Sequence, residues 1–128
     1  MITAGRSEGE HYGWVFQDSD VYKWLEAAAY SLMERPDEEL MKKTEWVVKL
    51  ISDAHHPDGY INTYFTIKEP KRRFKRLWES HELYCAGHFF EAACAYHEAT
   101  GSELVLETAE RFADYLCSYF GDEDGKPL

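Results

Sequence analysis

The sequence predicts an all-α fold: two helical hairpins that form part of a toroid, with a long irregular connection between them. Three observations predict it. Four segments carry apolar residues at helical period, and they alternate between segments that are apolar nearly all round and segments with one apolar stripe. Between the second and third segments the helical period disappears for about 25 residues, longer than an ordinary connection.

Residues 1–17 are polar and glycine-containing without helical period, and read as an irregular opening segment. The first helix spans about residues 18–35, with Asp18 or Asp20 available to cap it. Only Lys23, Glu26 and Ser31 interrupt its apolar run from Val21 to Met33, so it should be buried. Pro36 stops it and Asp37 caps the second helix, about 37–55. There Leu40, Thr44, Val47, Val48, Ile51 and Ala54 make one stripe, which places this helix outside.

Pro57-Asp58-Gly59 then signals a turn, and Tyr60 to Ile67 suits a short extended piece before the basic run Lys71-Arg72-Arg73-Phe74-Lys75-Arg76. Ser80 is placed to cap a third, all-round apolar helix over about 80–100, which Gly101 ends. Ser102 caps a fourth, amphipathic helix over about 102–120, ending at Gly121; residues 122–128 form a polar tail. Inner helices wrapped by amphipathic outer ones describe an α/α toroid. Such repeats need about three or more units to close a core, so two hairpins should leave raw edges.

The 128 residues suit one domain, and 45% hydrophobic and 16% aromatic content is too rich for a disordered chain. A net charge of −10 repels nucleic-acid phosphates and anionic lipid, which leaves the basic run as a solvated loop. No apolar stretch approaches the roughly 20 residues of a bilayer span, and the first residues lack the apolar core of a signal peptide. No nucleic-acid or membrane partner is expected, and a soluble, cytoplasmic protein is. Cys85, Cys94 and Cys117 form no tight ligand spacing and read as buried free thiols.

On the third helix His81, Tyr84, His88 and Glu91 are spaced three, four and three apart and share one stripe. A polar stripe on an apolar helix needs partners or a solvent-filled cavity, so it is a candidate pocket wall, with mutual hydrogen bonding as the alternative. Asp18 and Asp20 offer carboxylates to a sugar or a proton, although N-capping also accounts for them. Lys23 pairs with an acid or touches substrate. His55-His56 has no partner at a metal-ligand spacing. Trp14, Tyr60, Tyr64 and Trp78, outside regular helix, are able to stack on sugar faces or pack in the core.

Several segments in order carry a resemblance: Phe16-Gln17-Asp18-Ser19-Asp20-Val21-Tyr22-Lys23-Trp24-Leu25-Glu26-Ala27, Pro57-Asp58-Gly59-Tyr60, Ser80-His81-Glu82-Leu83-Tyr84, Gly87-His88, Glu91-Ala92-Ala93 and Ala99-Thr100-Gly101. From about Tyr12 to Gly121 the sequence resembles the bacterial β-L-arabinofuranosidases of glycoside hydrolase family 127. The resemblance implies an (α/α)6 toroid followed by β-sandwich domains, in an intracellular enzyme that removes terminal arabinofuranose from plant-derived oligosaccharides. It implies a retaining displacement by a zinc-bound cysteine, with a glutamate as acid. Those groups lie in family segments beyond this chain, and Cys85, Cys94 and Cys117 do not match the family's zinc ligands. Neither a catalytic residue nor a zinc cofactor is therefore expected here. His81 and Tyr84 match family positions that contact the sugar. His88, Asp18, Asp20, Lys23 and Glu91 are further pocket candidates.

The leading expectation is thus a piece of an arabinofuranosidase-like glycosidase, inactive alone, whose partners are an arabinofuranoside and the remainder of the enzyme. The alternatives are a non-catalytic helical module that associates through its edges, and an independent glycosidase pairing Asp18 with Glu91. The last requires carboxyl groups roughly 5 to 10 Å apart.

Overall fold

The computed structural model describes residues 1–127. Six α-helices follow in order: α1 (Asp18–Glu34), α2 (Glu38–Ala54), α3 (Thr63–Ile67), α4 (Leu77–Ser80), α5 (Glu82–Thr100) and α6 (Glu103–Tyr119), with a 3-10 turn at Pro70–Arg72. No strand occurs among the described residues. None of these helices is long and apolar enough to cross a membrane.

The two hairpins are α1–α2 and α5–α6, and α1 lies along α5 as the main interface. The two inner helices run parallel: the Cys85 thiol meets the Phe16 carbonyl at one end, Tyr22 packs on Phe89 further on, and Tyr30 senses Glu91 and Glu98 beyond that. Their shared seam holds Leu25, Ala29, Phe89, Ala92 and Ala93, all without solvent exposure. The small residues let the backbones approach closely, and burying each larger side chain contributes about 1.5–3 kcal/mol. Outside, α2 adds Val48 and Ile51, and α6 adds Val105, Ala109 and Phe112. Thr44 of α2 and Tyr96 of α5 join the layers through a buried 3.0 Å hydrogen bond.

Helix ends follow the sequence in part. The Asp37 carboxylate accepts from the amides of Glu39 and Leu40, each at 2.9 Å, and caps α2. Gly101 ends α5 in the left-handed region, its amide donating to the His97 carbonyl at 2.7 Å. The caps expected at Asp18 or Asp20 and at Ser80 are not formed. Gln17 precedes α1 without a side-chain cap, and both aspartates lie in its first turn, where they meet the positive end of the helix dipole. Ser80 ends α4, and His81 starts α5 from a left-handed conformation (φ 53°). Ser102 stands at the cap position of α6 but makes no capping bond, and α6 ends at Tyr119, short of Gly121.

The connection is not the extended piece expected. Asn62 caps the five-residue α3 by accepting from the Phe65 amide at 3.0 Å, and the segment supplies Tyr60, Ile61, Phe65 and Phe74 to the core. Gly59 has φ +95°, and a Cβ there would collide with the Arg111 carbonyl. The turn therefore needs glycine both for its dihedral angle and for the close approach of α6.

The tail folds back in a turn closed by Lys126 on Glu123; Leu128 lies outside the described residues. Two burial expectations change. The inner helix α1 leaves Val21, Trp24, Tyr30 and Met33 exposed among the described residues. Cys85 is buried as expected, whereas Cys94 and Cys117 are exposed.

Candidate functional site

The polar stripe of α5 faces outward beside α1. His81 sits where α4 turns into α5. Its left-handed backbone lets its own carbonyl accept from the Cys85 amide at 2.9 Å and so begin the helix. Its Nδ1 lies 2.9 Å from the Glu79 carbonyl. A carbonyl only accepts, so Nδ1 carries the proton, which in a neutral ring leaves Nε2 of this exposed residue as an acceptor.

One turn on, the Tyr84 hydroxyl accepts from the Lys23 ammonium at 2.6 Å. That hydrogen bond is the main reason Lys23 holds its proton above the usual lysine range, and Asp20 adds to it. Lys23 thus engages the Tyr84 phenol, where the sequence offered either an acid or a substrate as its partner. His88 stacks edge-on with Tyr84 at 4.6 Å, and its Nδ1 lies 3.2 Å from Glu91.

These groups continue a ladder of rings. Trp14 stacks on Phe16 at 6.1 Å and 7°, Phe16 meets His81 at 5.2 Å, and His81 meets Tyr84 at 5.8 Å. Trp14 is 71% exposed, so the ladder opens to solvent. Apolar ring faces alternating with a histidine lone pair, a phenol and an ammonium suit a polyhydroxylated ring, which offers C–H faces and hydroxyls that donate and accept.

Other candidates go elsewhere. Asp18 accepts from the Thr63 amide at 2.6 Å, tying the connection to the start of α1. Glu91 lies 3.2 Å from His88 Nδ1. Tyr60 is fully buried, Tyr64 packs edge-on against His11, and Trp78 is exposed. His55 faces the Ser52 carbonyl and His56 the Thr66 hydroxyl. Within the basic run Arg72 pairs with Glu69 and Glu79, Arg73 with Asp58, and Arg76 with Glu79.

Two contributors escaped the sequence reading. Phe16 bridges Trp14 to His81; it heads the first segment of the resemblance, but nothing in the sequence marked it as part of the site. Glu82 is buried at the first position of α5, its carboxylate accepting from the Tyr60 phenol at 2.5 Å and the Phe74 amide at 2.8 Å. Burial first, and this carboxylate second, push the Tyr60 phenol far above its ordinary range. Its place in the Ser80-His81-Glu82-Leu83-Tyr84 segment was the available signal.

The residues present do not fit the zinc centre that the resemblance implies for the family. Burial pushes the Cys85 thiol up to about 12, and it leans on the Phe16 carbonyl. Cys94 and Cys117 are single exposed thiols, and no three His, Cys, Asp or Glu side chains among the described residues are placed to share an ion.

Parallel inner helices wrapped by outer partners are consistent with a segment of an α/α toroid. The profile described as β-L-arabinofuranosidase, GH127 catalytic domain, matches residues 2–127, beyond both ends of the 12–121 stretch that carried the resemblance. The chain belongs to glycoside hydrolase family 127. It is 48% identical over 129 residues to a non-reducing end β-L-arabinofuranosidase from Bifidobacterium longum subsp. longum, covering 98% of this chain and 20% of that protein. A GH127 β-L-arabinofuranosidase from Geobacillus stearothermophilus T6 superposes with a TM-score of 0.95 at 54% identity, over 98% of this chain and 20% of the other. A further GH127 β-arabinofuranosidase gives a TM-score of 0.85 at 36% identity, over 98% and 21%. The chain thus spans about a fifth of the length of these relatives, and its all-helical fold is theirs over that span.

Proposed function

We propose that the His81–Tyr84 face is part of the sugar-binding wall of a β-L-arabinofuranosidase, and that no residue of this chain carries the bond-breaking step. The observation that supports it is the solvent-facing ladder from Trp14 to His88, with the acceptor Nε2 of the exposed His81 and the Lys23-anchored Tyr84 phenol at its centre. His81 Nε2 accepts one sugar hydroxyl and Tyr84 donates to another, while Phe16 and Trp14 cover an apolar ring face. His88, Glu91 and Asp20 set the charge around them. In this reading the acid, the nucleophile and the zinc belong to the rest of the enzyme, the substrate is a plant-derived arabinofuranoside, and the location is the cytoplasm.

Titration of the isotope-labelled chain with methyl β-L-arabinofuranoside, followed by NMR, tests the wall. Shifts centred on His81, Tyr84 and Lys23 are expected, and a folded chain without any would overturn the assignment. Tyr84→Phe is expected to weaken binding by about 2- to 10-fold, the worth of one hydrogen bond. A chromogenic β-L-arabinofuranoside should stay intact with the chain, with or without zinc and thiol. Release of product would show that a complete reaction centre exists in these residues.

A second reading rests on a separate observation. Val21 and Trp24 of α1 and Trp46 and Val47 of α2 line an open apolar groove of ≈470 Å³, rimmed by Asp20 and Lys43. Such a surface favours association with the remainder of the enzyme or with a second copy. Sedimentation that found only monomer at all concentrations would count against self-association.

A further inference from the structure

Glu82 follows His81 in the chain but lies on the other side of the junction: His81 is exposed, whereas Glu82 is 2% exposed. A buried carboxylate carries a desolvation cost that an apolar side chain of the same size would avoid. Both of its oxygens are used. Oε1 accepts from the Tyr60 phenol at 2.5 Å and Oε2 from the Phe74 amide at 2.8 Å.

The bond to Phe74 closes residues 74–82 into a clasp that contains all of α4. Phe74 and His81 bracket α4, and they are the two non-glycine residues with a left-handed backbone among the described residues (φ 54° and 53°). Such conformations persist only where the surroundings over-determine them. At Phe74 those surroundings are the Tyr119 and Phe120 rings, centred 4.8 and 5.0 Å away, and the Glu82 carboxylate. At His81 they are the end of α4, the start of α5 and the bond from Nδ1 to the Glu79 carbonyl.

The left-handed turn at His81 is what separates α4 from α5. With an ordinary helical dihedral there, the two would run on as one helix. The imidazole would then leave its place between Phe16, 5.2 Å away, and Tyr84, 5.8 Å away. One buried carboxylate thus ties the strained residue that opens the clasp to the residue that follows the strained one closing it.

We propose that Glu82 is a positioning residue for sugar binding: by clasping the Phe74 amide it holds His81 in the left-handed conformation that keeps its ring in the wall. The inference rests on the sugar-binding reading of that wall. Tyr60 serves the core, and its bond to Glu82 is not needed for the positioning.

Nuclear Overhauser contacts between the His81 and Phe16 rings report the ring's position without sugar, and titration with methyl β-L-arabinofuranoside reports its use. Both are read on the isotope-labelled chain, below the melting transition of each variant. Glu82→Met keeps the length of the side chain and removes the acceptor. Loss of the His81–Phe16 contacts is expected, with binding weakened about 5-fold, the worth of one hydrogen bond. Glu82→Asp, too short to span both donors, takes its place should the methionine variant not fold. Glu82→Gln still offers the Phe74 amide an oxygen, and its NH2 group can donate to the Tyr60 hydroxyl, so it is expected to restore both readouts. Tyr60→Phe removes the other bond alone. It should lower the melting temperature while leaving the ring contacts intact and the affinity within about 2-fold of the native chain. A Glu82→Met chain with native ring contacts and affinity would overturn the positioning and keep the wall. Equal losses in Glu82→Met and Tyr60→Phe would make Glu82 a core residue only, and would overturn it as well. A native chain that binds no sugar would remove the wall, and the proposal with it.

Discussion

Glu82 shows what one residue carries in this chain. Its buried carboxylate receives the Tyr60 phenol and the Phe74 amide, and Arg73 stacks over the Tyr60 ring at 3.9 Å. Phe74 holds a left-handed backbone (φ 54°) while its ring packs among Tyr60, Tyr115, Tyr119 and Phe120, so the amide bond to Glu82 helps keep a strained residue in place. Glu82→Ala orphans two buried donors, and a loss of about 2–5 kcal/mol is expected in urea denaturation. Gly59→Ala must both adopt a disfavoured dihedral and displace the Arg111 carbonyl, so a loss above about 1 kcal/mol is expected. The three thiols should separate kinetically. Ellman's reagent on the folded chain should titrate Cys94 and Cys117 quickly and Cys85 only on unfolding, because burial keeps the last protonated. His56 makes stability depend on pH. Burial, with Arg73 nearby, holds its pKa below the ordinary histidine value, so the folded state stays neutral where the unfolded state takes up a proton. Stability from this group is full above about pH 6.5 and is lost as pH falls through the folded value. His56→Gln should flatten that part of the melting-temperature profile.

At the scale of elements, legibility followed length and chemistry. The four long helices were readable because each offers several turns of period, and two of them end at a clear stop, α1 before Pro36 and α5 at Gly101. The Asp37 cap was readable because Pro36 breaks the preceding helix directly before it. Asp37→Ala should cost α2 about 1 kcal/mol in thermal unfolding. The connection was not readable, because α3 and α4 are too short to show a period and their conformation is decided by tertiary burial of Tyr60, Phe65 and Phe74. The wall was half legible. Spacing along α5 placed His81, Tyr84 and His88 together, but nothing local reveals that Lys23, 61 residues earlier, reaches the Tyr84 phenol, or that Phe16 completes the ladder. The left-handed conformation of His81 was likewise beyond reach, since it depends on α4 ending where α5 begins.

For the whole molecule, an inner layer of two helices is a wall with two ends. The α5 side carries the polar ladder, and the α1–α2 side carries the apolar groove with Asp20 and Lys43 on its rim. A chain of net charge −10 repels its own copies at low salt. Any contact made through the groove should therefore tighten as salt rises, which sedimentation across a salt series would detect.

The side-by-side pairing of α1 with α5 also constrains how the native state is reached. Its contacts join residues as far apart as Phe16 and Cys85, 69 positions along the chain. Neither hairpin can bury its inner helix by itself, so the first stable nucleus has to close a loop of that size, at about 3–4 kcal/mol of chain entropy before any packing is gained. A helical protein would then fold with the slow, all-or-none kinetics usual for non-local topologies, and the two hairpins would appear and disappear as one cooperative unit rather than as two modules.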